Sequence, residues 1–167
     1  VSGSGSSSVT LAGTVTQINN LLAGLNSGTV SYLINSDTPP ASATLTLSVN
    51  DQGNTGSGGA LTASDSATLN ITAVNDAPTA TITPTSYTAT EQTSLTLHGT
   101  GLSVTDADAG ASSVQATLSV TAGALTVSAG TTGVTVSGSG SASVTLTGTV
   151  TQVNNLLAGL NGGTVSY

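Results

Sequence analysis

Residues 1–32 read VSGSGSSSVTLAGTVTQINNLLAGLNSGTVSY, and residues 136–167 read VSGSGSASVTLTGTVTQVNNLLAGLNGGTVSY. The two stretches lie 135 positions apart and differ at four positions. Such close self-similarity at a fixed period is the signature of a tandem array, in which neighbouring copies of one unit perform the same task. Since the chain starts and stops in mid-repeat, we expect it to be a window of a longer tandem protein.

The composition of the 167-residue chain weighs against several classes of function. There is no Lys and no Arg, and the formal net charge is −7. Nucleic-acid binding is therefore not expected, because phosphate contacts depend on Lys and Arg. The lack of Cys excludes disulfides and thiolate metal sites. We also expect no membrane span in this segment. The low charge and abundant Ser, Thr and Gly suit a secreted protein that is extracellular or on the cell surface.

Alternation of apolar and hydroxyl-bearing residues dominates the sequence and predicts an all-β fold. It is clearest in LTLSV at 45–49, VQATLSV at 114–120 and VTLT at 144–147. One apolar face and one polar face are typical of half-buried antiparallel strands in a sandwich. Shorter alternating segments lie at 95–97, 125–127 and 134–136.

One segment breaks this alternation. Residues 16–25, TQINNLLAGL, place four aliphatic residues at helical spacing. Thr16 is a candidate N-cap, and Gly24 lies where a glycine would end the helix. We therefore predict one short helix per repeat, here and again at 151–160, that closes one end of the sandwich.

The clearest boundary signal in the chain is the segment AVNDAP at 73–78. Pro78 cannot donate a hydrogen bond to a sheet, so a strand should end before it. We place the junction between repeats at 77–78. Residues 1–76 are then the C-terminal part of one repeat, and 79–167 the N-terminal part of the next.

Neither part is a complete repeat. The upstream part lacks the counterpart of residues 79–135, and the downstream part lacks the counterpart of residues 33–78. A sandwich that misses strands exposes apolar faces and unpaired edges. We expect neighbouring copies to supply the missing strands, either by continuity along one chain or by head-to-tail assembly of separate chains into a filament.

The acidic residues suggest a metal site. Asp106 and Asp108 form an Asp-x-Asp pair, and two such carboxylates can converge on Ca²⁺, which takes about six to eight oxygen ligands. A solvated turn explains an isolated pair equally well. In a chain without Lys or Arg, each carboxylate must be solvated, capped by backbone N–H groups or neutralised by a metal.

The sequence resembles a known family in three segments. LTLSVNDQGNTG at 45–56, DSATLNITAVNDAP at 65–78 and INNLLAGL at 18–25 are similar to the cadherin-like tandem repeats of giant secreted bacterial adhesins and biofilm matrix proteins. The resemblance covers essentially the whole repeat. It implies Ig-like or cadherin-like antiparallel β-sandwich repeats.

The resemblance also implies a ligand set, because cadherins bind Ca²⁺ at the junction between consecutive domains, where it stiffens the rod. Asn75 and Asp76 correspond to linker ligands. Glu91 resembles the glutamate on the first strand of the following domain, and Asp106 and Asp108 resemble its Asp-x-Asp motif.

Asp51 also has a counterpart in the family, and two residues of the linker depart from the family's pattern. Asp51 resembles the late aspartate of a domain, which serves the junction upstream of its own copy and therefore lies outside this window. Ala73 and Ala77 replace an acid and an amide of the cadherin linker, which implies fewer ions and weaker binding. Asp37 and Asp65 have no counterpart, and we interpret both as turn residues.

These observations predict a structural repeat of an extracellular fibrous adhesin or matrix protein. It would form a Ca²⁺-stiffened rod or filament whose partners are neighbouring copies of itself. The alternative is a carbohydrate- or cell-surface-binding module, and a cell-surface or glycan ligand could also bind elsewhere in the full protein. The three Tyr are the only aromatic residues, which disfavours the alternative because binding hot spots favour Trp, Tyr and Arg. We expect no enzymatic activity, since no Ser–His–Asp arrangement can be built around His98, the single imidazole.

Overall fold

The computed structural model describes residues 1–54 and 56–167. The chain divides into two compact units, Val1–Asn35 and Ser36–Tyr167. In the described residues the strands form small antiparallel sheets, accompanied by two short α-helices, so the predicted all-β class is confirmed. In chain order the elements are α1 (Val15–Leu22), β1 (Ser42–Asn50), β2 (Thr62–Asn70), β3 (Thr79–Ile82), β4 (Leu102–Thr105), β5 (Ser113–Ser119), β6 (Thr126–Ser128), β7 (Thr135–Ser137), β8 (Ser143–Thr149), α2 (Val150–Leu157) and β9 (Thr164–Ser166), with 3-10 turns at Leu25–Ser27 and Leu160–Gly162.

The first unit is built around α1. The Thr14 hydroxyl accepts a hydrogen bond from the Gln17 N–H at 3.3 Å, and Gln17 Oε1 accepts one from the Thr14 N–H at 2.9 Å. This reciprocal pair is a capping box. The prediction of Thr16 as the N-cap is therefore wrong, because Gln17 completes the box only with Thr14. Gly24 follows the helix with a φ of 71°, as predicted for a glycine that ends it.

The second unit begins with a long hairpin. β1 and β2 are paired over their whole length, from Ser42 opposite Asn70 to Asn50 opposite Thr62. β2 ends before Pro78 and β3 starts directly after it, as the proline predicts. The predicted junction at 77–78 lies between these strands, inside the second unit, and stays a prediction that rests on the sequence period.

The hydrophobic core lies in residues 125–165. Most of its buried side chains come from β6, β8, α2 and β9, and β5 and β7 pack partly buried residues against them. On β8, Val144 and Leu146 are buried on one face, as the alternation predicts. The predicted strand at 95–97 is a short extended segment that makes one isolated bridge to β9, between Thr96 and Ser166. The core residues are Leu125, Val127, Val134, Val144, Leu146, Val153, Leu156, Leu157 and Val165.

The side chain of Asn154 links α2 to β4 by hydrogen bonds. Asn154 Oδ1 accepts a hydrogen bond from the Val104 N–H at 2.9 Å, and Asn154 Nδ2 donates one to the Val104 carbonyl at 2.8 Å. The Asn154 amide therefore pairs with both backbone groups of Val104 at the outer edge of β4, as a neighbouring strand would. Its only signal in the sequence is its occurrence in both copies, as Asn19 and Asn154.

The two near-identical stretches differ in structure. Residues 143–149 form β8 between β5 and β7. The equivalent residues 8–14 make one isolated bridge, between Ser2 and Thr10, which corresponds to the last pair of the β7–β8 register. Residues 1–35 contain no counterpart of β5 and only the last two residues of β7. The strand therefore depends on partners distant in sequence.

Local structure, in contrast, is the same in both stretches. The capping box recurs at Thr149 and Gln152, with distances of 3.2 and 2.8 Å. The hydroxyls of Ser6 and Ser141 play the same role in a glycine turn. Each donates a hydrogen bond to the carbonyl three residues earlier, at 2.6 and 2.7 Å respectively. The helix and the turn are thus encoded within the stretch itself.

Leu156 and Leu21 provide a matched test of this difference, because they are equivalent positions of the two copies. Leu156 is 0 % exposed, and Leu156→Ala should lower the free energy of unfolding by about 2–5 kcal/mol through the loss of packing and the cavity left behind. Leu21 is only half-buried, and Leu21→Ala should cost less than about 1 kcal/mol. Urea unfolding of dilute protein, followed by circular dichroism, measures both, and equal losses would contradict the assignment.

Candidate functional site

The segment before β3 contacts the loop after β4. The Asp76 N–H donates to Asp108 Oδ2 at 3.0 Å. Asp106 Oδ1 accepts from the N–H groups of Asp108 and Ala109 at 3.2 and 3.0 Å. Three residues of the predicted ligand set, Asp76, Asp106 and Asp108, are therefore brought together, and we call them the acidic junction.

Hydrogen bonding favours the ionised form of the Asp108 carboxyl in this loop. The Asp76 N–H, and secondly a hydrogen bond with Asp106, lower the pKa of the Asp108 carboxyl from its ordinary value of 3.8. Asp108 is therefore a carboxylate at neutral pH. Because the chain has no Lys or Arg, the negative charge of the acidic junction must be solvated by water or neutralised by a cation.

The other predicted ligands have different surroundings. Asn75 Nδ2 donates to the Asp76 carbonyl at 3.1 Å, beside the acidic junction. Glu91 lies in an exposed turn, so its predicted position on a strand is wrong. The first strand after the junction is β3, which ends before Glu91.

Asp51 organises the loop of the β1–β2 hairpin. Its Oδ1 accepts from the N–H of Leu61 at 2.8 Å and from the N–H of Gly53 at 2.9 Å. These two bonds, that from Leu61 first, lower the pKa of Asp51 from 3.8. The Asp51 carboxylate therefore holds the two ends of the hairpin loop together, and we call this arrangement the Asp51 clamp.

The described residues, 1–54 and 56–167, bring few possible metal ligands together. In that part of the chain, no group of three or more His, Cys, Asp or Glu side chains is arranged to hold a metal ion. The Asp106 and Asp108 carboxylates each use one oxygen to accept backbone N–H bonds. Any Ca²⁺ there would need backbone carbonyls and water for most of its ligands.

The single imidazole contacts a strand end. His98 Nδ1 lies 3.1 Å from both the nitrogen and the oxygen of Val165 on β9. The ring also packs closely on Gly159, where an added Cβ atom would clash with His98 Cδ2. The role visible for His98 is therefore to fix β9 beside the end of α2.

The β1–β2 hairpin presents an apolar face to solvent. Leu45, Leu47 and Val49 of β1 are 55 %, 55 % and 57 % exposed. Alternation predicted that this face would be half-buried, but the hairpin forms a sheet of only two strands among the described residues. The hairpin face, as we call it, consists of Ala43, Leu45, Leu47, Val49, Ala63, Asp65, Ala67 and Leu69.

Asp65 lies within this apolar face. It is directly opposite Leu47 in the middle of the hairpin, so both side chains are on the same side of the sheet. The interpretation of Asp65 as a turn residue is therefore wrong. Its sequence context, Ser-Asp-Ser, is typical of a turn, but the register with β1 makes it part of a strand.

A second apolar surface lies between the β3–β4 pair and β5. A cavity of about 490 Å³ opens there, and an adjoining cavity of about 500 Å³ shares Ile82, Leu102 and Leu118 with it. Ile82 at its rim is 61 % exposed. This surface, which we call the cleft, is lined by Ile82, Leu102, Val104, Val114, Ala116 and Leu118.

The Asp51 clamp gives a prediction about pH. Because its pKa is lowered in the folded hairpin, Asp51 contributes stability that is complete above 3.8 and is lost as the pH falls through the lowered value. In ¹H–¹⁵N NMR spectra, the Gly53 and Leu61 amides should titrate with a midpoint below 3.8. Asp51→Asn should abolish this titration, whereas Asp37→Asn should leave it intact. A midpoint above 3.8, or its persistence in Asp51→Asn, would contradict the clamp.

Comparison with known proteins found no matching family model, no similar curated protein and no similar solved structure. Within the described residues, each helix is too short or too polar to cross a bilayer.

Proposed function

We propose that the chain is a structural repeat of an extracellular fibrous adhesin or matrix protein, built of cadherin-like β-sandwiches in a rod or filament. The observation that carries this proposal is the recurrence of residues 1–32 at 136–167, 135 positions later and with four differences. Close repetition at a fixed period is the signature of an array whose neighbouring copies perform the same task. The small antiparallel sheets of the second unit agree with a β-rich repeat of this kind.

Burial supports the same proposal. Val144 and Val165 are 0 % exposed, whereas the equivalent Val9 and Val30 are 50 % and 66 % exposed. The repeated stretch is therefore part of a packed core where residues 79–135 precede it. The composition also agrees, because the chain is rich in Ser and Thr and has no Lys or Arg.

Labelling of intact cells tests this function. Antibodies against the chain should bind the surface of unpermeabilised cells that produce the protein, or the matrix around them. Mild proteolysis of the labelled material should release fragments that differ in length by one 135-residue period. Labelling that requires permeabilised cells, or a single fragment with no such spacing, would contradict the proposal.

We also propose that Ca²⁺ binds at the acidic junction. Asp106 and Asp108 would supply the carboxylate ligands, with backbone carbonyls and water completing the shell. So few carboxylates imply weak binding, with a dissociation constant on the order of 10⁻⁴–10⁻³ M, as in other extracellular modules. Bound Ca²⁺ would neutralise the junction and fix the segment before β3 against the loop after β4.

Thermal unfolding tests the metal. Millimolar Ca²⁺ should raise the melting temperature relative to chelator, because an ion that binds only the folded state stabilises it. The double variant Asp106→Asn with Asp108→Asn should lose this increase. The control Asp37→Asn with Asp65→Asn removes the same charge elsewhere and should keep it. Equal melting temperatures in Ca²⁺ and chelator, or equal loss in the control, would contradict the site.

A further inference from the structure

We propose that His98 is a pH-sensitive switch on β9, which is closed while its imidazole is neutral and opens when the imidazole takes up a proton. The switch is the hydrogen bond of 3.1 Å in which the Val165 N–H donates to His98 Nδ1. This inference goes beyond the proposed function and does not depend on it, because it follows from contacts within the second unit.

The imidazole takes the place of a backbone carbonyl in a ladder. The segment 95–97 lies antiparallel to β9, and the Leu97 N–H donates to the Val165 carbonyl at 2.9 Å. In a regular antiparallel ladder, the Leu97 carbonyl would accept the Val165 N–H in return. It accepts the Thr100 hydroxyl instead, and His98 Nδ1 accepts the Val165 N–H.

A second hydrogen bond keeps the Leu97 carbonyl occupied. The Thr100 hydroxyl that donates to it also lies 2.9 Å from the Tyr87 hydroxyl. Since Thr100 has one hydroxyl proton, Tyr87 is the donor of this second bond. Val165 is fully buried, so its N–H cannot turn to water when His98 is lost as an acceptor. The switch therefore controls whether a buried backbone donor is paired.

The hydrogen bonds around Val165 also assign the proton of the neutral ring. The Val165 carbonyl accepts the backbone N–H groups of Leu97 and His98, at 2.9 and 3.2 Å. A carbonyl oxygen has two lone pairs, and both are used by these bonds. Nδ1 is accordingly the unprotonated nitrogen that accepts the Val165 N–H, and the proton of the neutral imidazole is on Nε2.

Protonation removes the acceptor. An imidazolium carries a proton on each nitrogen and can accept no hydrogen bond. The new Nδ1–H of His98 would face the Val165 N–H, so two donors would meet and the buried N–H would be unpaired. The stability that the switch contributes is therefore complete above the ordinary titration range of histidine, about pH 6.5, and is lost as the pH falls below it.

The elements packed around the ring carry no charged side chain in the described residues. The ring packs on Gly159, which follows α2, and on β9. Neither α2, residues 158–163 nor β9 contains an ionisable side chain. The nearby titratable groups are the phenols of Tyr87 and Tyr167, which stay neutral below about pH 8, and Glu91, which lies in the exposed turn before the segment 95–97. The structure therefore holds no ion pair that would stabilise the imidazolium.

Opening of the switch has a local effect. β9 lies between the segment 95–97 and β6, with which it pairs from Thr164 to Ser166. Acid would release β9 from the segment 95–97, while the backbone pairing with β6 and the sheet in the order β5-β8-β7 would remain. Such local opening is a property of one part of a structure and does not require global unfolding.

NMR spectroscopy of the full ¹⁵N-labelled chain tests the switch. At about pH 8, a scalar coupling between Val165 N and His98 Nδ1 should be visible across the hydrogen bond, and it should vanish at about pH 5. The hydrogen-exchange protection factor of the Val165 amide should fall about tenfold between these conditions, because a buried donor loses its partner. The Leu146 amide on β8 is the internal control and should keep its protection.

Two variants of the single histidine separate the proton from the packing. His98→Asn keeps an acceptor oxygen near the position of Nδ1 but cannot titrate, so the Val165 amide should be equally protected at both pH values. His98→Leu removes the acceptor, so protection should be about tenfold lower at both. Circular dichroism verifies that each variant folds, and the coupling in the wild type decides the matter without any variant.

Three results would overturn the proposal. The first is a Val165 protection factor that does not change between the two pH values in the wild type. The second is a change that persists in His98→Asn, which would assign the pH dependence to the carboxylates. The third is a neutral ring whose proton is found on Nδ1, since that nitrogen could not accept the Val165 N–H.

Discussion

The pairing of β8 between β5 and β7 is the interaction on which the rest of the second unit depends. It buries Val144 and Leu146 on one face of the sheet and places α2 over the core. The same residues do not form a strand in the first copy, where the counterpart of β5 is missing. The free energy of the strand therefore comes from long-range pairing and burial, and the intrinsic preferences of Val and Thr do not replace them.

Features that depend on neighbours in the sequence could be predicted from the sequence alone. Alternation located β1, β5 and β8, since a period of two places one face toward a core. The helix was also predicted, but its start was misplaced by two residues because aliphatic spacing does not reveal which Thr forms the capping box with Gln17. The grouping of Asp76 with Asp108 came from the resemblance, and their hydrogen bond agrees with that grouping.

Features that depend on register or on distant partners could not be predicted from the sequence. Asp65 has the neighbours of a turn residue, and only the pairing with Leu47 places it on an apolar face. Asn154 resembles any polar residue on a short helix, although it satisfies both backbone groups of Val104. The sequences at 8–14 and 143–149 differ only at Ala12 and Thr147 and lead to the same predictions, so no reading of that stretch alone could separate the two structures.

The capping boxes have a consequence for the order of folding. Because α1 carries the box without any long-range strand pairing, the equivalent α2 can form before β8 finds its partners. β8 and α2 are adjacent in the chain, so a preformed helix would arrive at the core together with the strand. Helical turns form in less than about a microsecond, whereas contacts between distant strands are slower. In a chain synthesised or exported from its N-terminus, β5 and β7 emerge before β8 and α2, so the strands that β8 pairs with are already present when its helix forms.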